Sequence, residues 1–352
     1  MYFQDLTLKK LTDLVKDKGK PAYNAKNLFR WFYKRGVRCF SDMTDVAKEL
    51  RSILSQELPP YKLNIAEIEK SKDGCVKFLF QLQDGETIES VLIPKEERLT
   101  LCVSTQVGCK MACKFCCTAK QGFTRDLLAS EIVAQIDTVN SYARDELKYS
   151  TDDSGVRSVT NIVFMGMGEP LDNMQAVLDC ISIISDDNGL AFGMRKLTVS
   201  TCGLIPKIPE FKDLCGAKLA ISLNAVDDEF RSKIMPINKK YPLKDLITCL
   251  KRLALKKHEF ITIEYILFEG LNDSRTDAEK LSKLLKGINI KVNLIPFNGH
   301  DKALGFKTPG EKTLIAFYDE LVKNGVVCNV RHSRGTDINA ACGQLKSKGK
   351  GI

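Results

Sequence analysis

The spacing of apolar residues changes character twice along the chain. Up to Pro59-Pro60 it is helical: LTLKKLTDLVKDKG carries apolar positions every three or four residues and stops at Gly19, and AYNAKNLFRWFYKRG stops at Gly36. Residues 76–82 and 87–93 then read as strands joined through Gln83-Asp84-Gly85-Glu86, a hairpin signal. After Pro94, short apolar runs at 100–105, 161–165, 197–201, 219–223, 261–267, 292–296 and 326–330 predict strands. Between them, stretches at 129–147, 174–184, 243–255, 277–285 and 311–323 predict helices. Strands separated by helices imply βαβ units on a parallel sheet, and about 230 residues of such units predict an α/β fold built as a partial (β/α) barrel. A doubly wound sheet satisfies the same pattern. The expected division is a helical accessory domain at 1–60, a β-hairpin linker at 61–97, the barrel at 98–331 and a C-terminal segment at 332–352. That last segment has little periodicity, ends in SKGKGI and is expected to be a mobile tail.

Composition adds limits rather than new elements. With 352 residues, 44% hydrophobic and 28% charged, the chain reads as a folded globular protein. No apolar run reaches the ~18 residues of a spanning helix, and the charged N-terminus has no signal-peptide core. A cytoplasmic monomer that makes no use of a membrane is the expectation. Charge is more informative in its placement than in its total of +9. Residues 1–40 and 331–352 are strongly basic while the middle is close to neutral. Basic ends suit a polyanionic partner, because neutralised phosphates release counterions; a solvated basic face carries the same charges. Phe29, Trp31, Phe32 and Tyr33 lie among those cations, where they could stack on bases or fill a core.

The 13 cysteines are an odd number in a reducing compartment, which argues against a disulfide framework. One group has ligand spacing. In CKMACKFC, Cys109, Cys113 and Cys116 can wrap three thiolates around a soft metal centre just after a strand. A structural zinc site closes with four ligands, and His258, His300 and His332 offer none with suitable spacing. Three thiolates on a [4Fe-4S] cluster leave one iron open to a small molecule; a structural zinc loop is the alternative.

The triplet, with Phe115 before its third cysteine, resembles that of the radical S-adenosylmethionine (SAM) enzymes. LCVSTQVGCKMACKFCCTAKQGFTRDL, FMGMGEPLDN, LTVSTCGL, AISLNA, RSKIMPINKKYP, NLIPFNG and VRHSRGTDINAACGQLK occur in the order found in RlmN-type adenine-C2 methyltransferases, and the resemblance spans essentially the whole chain. It implies methylation of carbon 2 of an adenine in 23S rRNA, and of the adenine 3′ of the anticodon in some tRNAs. It also implies a [4Fe-4S] cluster on Cys109, Cys113 and Cys116, two SAM molecules per turnover, and an electron donor such as flavodoxin or ferredoxin.

Carbon 2 of adenine is electron-poor and cannot attack a methyl cation equivalent, so a radical route needs a carrier. The resemblance assigns Cys342 as the methyl-accepting thiol, Cys102 as the thiol that resolves the adduct through a transient Cys102–Cys342 disulfide, and Glu89 as proton acceptor. Without it, Cys102 would be a buried core thiol, Cys342 an incidental exposed cysteine and Glu89 an outward strand residue. By the same resemblance Gly168, Glu169, Ser200, Ser222, Leu223, Asn224 and Asn298 contact SAM; His is common where Asn224 stands. Cys117 is treated as a non-ligand, and Cys39, Cys75, Cys180, Cys202, Cys215, Cys249 and Cys328 as structural. Two other functions fit part of the pattern: carbon-8 methylation of the same rRNA adenine, which uses the same triplet and both mechanistic cysteines, and a non-catalytic Fe–S factor that binds rRNA and needs neither.

Overall fold

A computed structural model describes residues 1–149, 158–299 and 305–346. Within it, one ten-stranded sheet organises the molecule. The strands β1 (Asn64–Lys70), β2 (Val76–Gln81), β3 (Thr87–Lys95) and β4 (Arg98–Cys102) pair antiparallel in sequence. A separate two-stranded ladder of β5 (Gln106–Gly108) and β6 (Phe123–Asp126) brackets the cysteine loop. From β4 onward the main sheet is parallel, through β7 (Asn161–Phe164), β8 (Leu197–Thr201), β9 (Lys218–Ser222), β10 (Ile261–Leu267), β11 (Ile290–Pro296) and β12 (Cys328–Val330). β4 and β12 do not pair, yet Cys102 of one and Asn329 of the other line the same cavity. The parallel part therefore curls into a barrel that stays open between its first and last strands, as expected, and the doubly wound alternative falls away.

β3 pairs with β4, so the hairpin of β2 and β3 continues the barrel's own sheet. Three strands are missing from the sequence expectation: the short β5 and β6, and β1 of the main sheet. Its NIAEIEK is almost wholly exposed and presents no apolar run, and only pairing with β2 makes it a strand.

The N-terminal helices dock through the same hydrophobic core that fills the barrel wall. Phe3, Phe29, Phe32 and Tyr33 are fully buried there, Phe3 stacking on Phe32 at 4.4 Å between ring centroids. Three of the four aromatics with base-stacking potential are thus core. Trp31 is half-buried, covered by the Arg35 guanidinium and bonded to Asp45. Lys10–Asp179 and Arg38–Asp137 ion pairs tie this module to the barrel helices.

The stretch after Arg331 corrects the expectation of a mobile tail, as far as Lys346; SKGKGI lies outside the described residues. Asp337 accepts from Ser71 Oγ at 2.6 Å, the Ile338 carbonyl from Lys77 Nζ at 2.6 Å, and Glu89 from the Lys346 N–H at 2.8 Å. On its other side the Cys117 N–H donates to the Gly343 carbonyl at 2.7 Å and Thr118 Oγ1 to the Leu345 carbonyl at 2.6 Å. The segment is a strap between the hairpin and the cysteine loop. Periodicity could not show this, because its bonds run to residues more than two hundred positions away.

Candidate active site

The cysteine loop begins with a turn that only glycine permits. Gly108 has φ +76°, and a Cβ there would lie 1.9 Å from the Gly122 carbonyl oxygen. The Cys109 N–H then bonds that carbonyl at 2.8 Å, and Lys114 N–H reaches Ile234 O at 2.9 Å. Cys109, Cys113 and Cys116 line one cavity. Around them Phe115, Ile234, Met235, Phe268 and Phe297 form a hydrophobic nucleus separate from the main core, with Phe115 and Phe268 centroids 5.8 Å apart. Burial first, and neighbouring thiols second, push the Cys113 thiol well above its ordinary range. Three thiolates in that space need a positive centre to balance them, which is the condition for metal-coupled deprotonation. Among the described residues no three His, Cys, Asp or Glu side chains are gathered to hold a single metal ion. A zinc site draws its ligands to about 2.3 Å from one centre, whereas each thiolate of a four-iron cube binds a different corner. The donors present fit the cube better than zinc.

Above the loop, Gly166 and Gly168 after β7 are packed too closely for a side chain: a Cβ at Gly168 (φ +103°) would meet Gln106 Cβ at 2.6 Å, and one at Gly166 the Val103 carbonyl at 2.7 Å. Glu169 is buried, accepting from the N–H groups of Cys202 at 2.8 Å and Leu171 at 3.1 Å, and burial raises its affinity for a proton. Gly168, Glu169, Ser200, Ser222 and Asn224 all line the same cavity as the three thiols. Asn224 sits in the left-handed region at φ +59°, a conformation Asn tolerates, and its amide oxygen accepts from Ile266 N–H at 2.9 Å. Leu223 and Asn298 do not line this cavity. The fully buried Leu223 uses its backbone on Glu264 and Arg231, because alternation along β9 turns it away from Ser222.

A larger cavity of about 1070 Å³ adjoins the first. Cys102 and Cys342 both line it, and Cys342, Arg331, Met165, Ile295 and Leu345 line both. Both thiols are free. Burial first pushes the Cys102 thiol up to about 12, with Cys342 adding to the rise and Arg331 opposing it, so Cys102 is protonated at neutral pH. Glu89, on β3, stands apart from both cavities. Its carboxylate is 2% exposed, beneath the strap, accepting from Lys346 N–H and paired with Lys77 at 3.4 Å; it lines neither cavity. Burial outweighs both partners and raises its pKa.

The comparisons with known proteins bear on this arrangement directly. The sequence model of the Radical SAM superfamily matches residues 103–281, and that of the ribosomal RNA large subunit methyltransferase N-terminal domain matches residues 2–58. A protein of Geotalea uraniireducens named dual-specificity RNA methyltransferase RlmN is 44% identical over 98% of this chain and 96% of its own length. One of the same name from Geobacter sulfurreducens is 45% identical over 97% and 91%. The chain belongs to the RlmN family. A radical SAM methyltransferase of Sphaerobacter thermophilus superposes with a TM-score of 0.88 at 39% identity, covering 98% of this chain and 99% of that one. The family's cofactors are a [4Fe-4S] cluster and SAM, and the donor set and dry nucleus described above suit both.

Three residues that sequence reasoning gave no role stand out within this RlmN-family site. Arg231, in RSKIMPINKKYP, is fully buried and donates to the carbonyls of Leu223 (3.0 Å), Cys202 (2.9 Å) and Ser222 (3.3 Å) and to Asn238 Oδ1 (2.8 Å). It clamps the ends of β8 and β9 together beside the cysteine loop. Cys202, read as structural, lines the thiol cavity, and its N–H holds Glu169. Arg331 lies close to Cys342, Glu264 and Cys102. The motif spacing of RSKIMPINKKYP and VRHSRG was the only available signal for the two arginines.

Proposed function

We propose that the chain methylates carbon 2 of adenine in 23S rRNA and of the adenine 3′ of the anticodon in some tRNAs. The observation that carries this reading is that Cys102 and Cys342 line one cavity, and that Cys342 also lines the cavity of the cluster thiols. Cys109, Cys113 and Cys116 would hold the cluster, and Gly168, Glu169, Ser200, Ser222 and Asn224 the SAM. When bound, the two cofactors supply a carbon-centred radical by one-electron reduction, with flavodoxin or ferredoxin as the class of donor. Leu223 and Asn298, assigned to SAM by resemblance, are not among the SAM contacts of this proposal.

The chain's own residues do the rest. Cys342 carries the methyl group as a thioether and presents it to the base. Arg331 lowers the cost of a thiolate on Cys102. Once the carrier carbon is joined to carbon 2, with the unpaired electron of the adduct given up through the one-electron chemistry that the bound cofactors would supply, Glu89 takes the carbon-2 proton; it is bonded to the strap four residues beyond Cys342. Cys102 then attacks the Cys342 sulfur. The S–S bond forms as the sulfur–carbon bond breaks, and the electron pair passes to the departing carbon, which takes up a proton to become the methyl group. The division at 1–60, 61–97, 98–331 and 332–352 belongs to the same proposal, as does a cytoplasmic monomer; no described helix is long and apolar enough to cross a membrane.

Mass spectrometry of RNA from a deletion strain and its complemented strain tests the product: 2-methyladenosine is expected, and 8-methyladenosine in its place would overturn the position assigned. Cys342→Ala is expected to abolish methylation, and Cys102→Ala to leave protein covalently bound to RNA. Unchanged methylation in Cys342→Ala would instead favour the non-catalytic Fe–S factor.

A further inference from the structure

The large cavity has two ends. At the C-terminal ends of the strands it holds Cys102 and Cys342; at the opposite end it is lined by Lys95 and Arg98, both exposed. Side chains two and four residues apart on a strand share a face. Arg98, Thr100 and Cys102 of β4 all line the cavity, as do Asn293 and Ile295 of β11, so Lys291 lies on the same inner row. Lys218 heads the row of β9 that ends in the cavity-lining Ser222, and Lys196 stands immediately before β8, whose Ser200 lines the same cavity as Ser222. With the Asn329 amide oriented to satisfy its neighbours, Lys291 Nζ donates to it at 2.8 Å, and Asn329 is itself on the cavity wall. Four strands spread round the barrel thus begin, on or beside the inner face, with a cation.

These cations lie near one another. Burial, then Lys196, Arg195, Lys291 and Arg98 in that order, lowers the proton affinity of Lys218. None of the five forms an ion pair among the described residues, although Lys, Arg, Asp and Glu elsewhere pair freely. Among the described residues the single carboxylate on the wall of the large cavity is Glu311, against Lys95, Arg98, Arg331 and Arg334. Such repulsion is relieved by an anion, and a single small anion cannot reach positions on β4, β8, β9 and β11 at once when neighbouring strands lie about 4.8 Å apart.

We propose that Arg98, Lys196, Lys218 and Lys291 form a binding site for the phosphate backbone of an RNA strand, whose extruded adenine passes up the adjoining cavity to Cys102 and Cys342. The inference rests on the RNA-methyltransferase reading and adds to it the residues and the end of the barrel that receive the substrate. It also relocates the main RNA contact from the basic chain ends, which the net charge of the sequence favoured, to the barrel.

The test is the double variant Lys218→Gln/Lys291→Gln of the full-length, cluster-loaded protein, with an RNA hairpin containing the target adenine as probe. Losing two phosphate contacts is expected to weaken binding about tenfold and to make the slope of log K against log salt shallower by about 1.4. KM for RNA should rise while the rate at saturating RNA holds. Cluster absorbance and methyl labelling of Cys342 without RNA should match wild type, and Lys280→Gln/Lys283→Gln, on an exposed helix face, should behave as wild type throughout. Wild-type affinity and salt slope in the double variant would overturn the proposal. Should that variant lose its cluster, Arg98→Gln, at an exposed position, repeats the measurement with half the slope change. A wild-type protein that methylates no adenine would defeat the functional reading instead, so the two failures are separable.

Discussion

The two ends of the barrel are built on opposite terms. Where the parallel strands finish, polar groups are buried and matched: Glu169 accepts from two N–H groups, Arg231 donates to four oxygens, and Asn224 bridges to β10. A nucleus of Phe115, Phe268 and Phe297 packs against the cysteine loop. Where the strands begin, Arg98, Lys196, Lys218 and Lys291 stand near one another, and none of them forms an ion pair among the described residues. The first end is organised before any ligand arrives, which suits small cofactors and reactive chemistry that water would quench. The second holds unrelieved charge, which suits a large polyanion that supplies the missing half of each pair. One fold serves both because the alternation of a strand carries the inner row from one end to the other.

The comparison breaks most sharply at the dry end. Cys109→Ser is expected to remove the cluster and with it RNA methylation, by about a thousandfold or more on the scale of losing an essential group, while binding to RNA persists. Iron content and RNA affinity measured together check this; a joint loss would show that the two ends are not independent. Arg231→Met should come next. It leaves the carbonyls of Cys202, Leu223 and Ser222 and the Asn238 amide oxygen short of a donor, at a cost of about 3–5 kcal/mol, read from denaturant unfolding and from reduced cluster loading.

The smallest effect concerns Glu89. Burial raises its pKa above the ordinary 4.5, so the folded chain keeps a proton that the unfolded chain has lost. Its contribution to stability is complete below the unfolded value and is lost as pH rises through the raised one. Glu89→Gln has no such proton, so the stability of wild type relative to the variant should fall as pH climbs from about 4.5. A pH-independent difference in urea midpoints would show that Lys77 and the Lys346 N–H already hold the carboxylate ionised.

Much of this was legible beforehand. β8 and β10 fall where apolar runs placed them, and the helix at Glu311–Lys323 matches its predicted span, because each buries one face at a regular period. β1 did not, since an exposed edge strand has no such period. The cysteine triplet was readable because ligand spacing in a short loop is local. Glu89 was readable only as a residue type at a motif position; its place beneath the strap depends on Lys346, 257 residues away.

By itself the sequence determined the barrel's repeating units, the triplet and the order of motifs that marks the family, all of which depend on neighbours within a turn or a loop. Only the tertiary structure decided three other matters. It made a strap of the C-terminal stretch, brought Cys102 and Cys342 to one cavity, and gathered Arg98, Lys196, Lys218 and Lys291 at one end of a region whose net charge is close to zero. The physical reason is common to all three: curling the sheet brings strand ends together that are far apart in the chain, and charge, burial and reactivity respond to that distance alone.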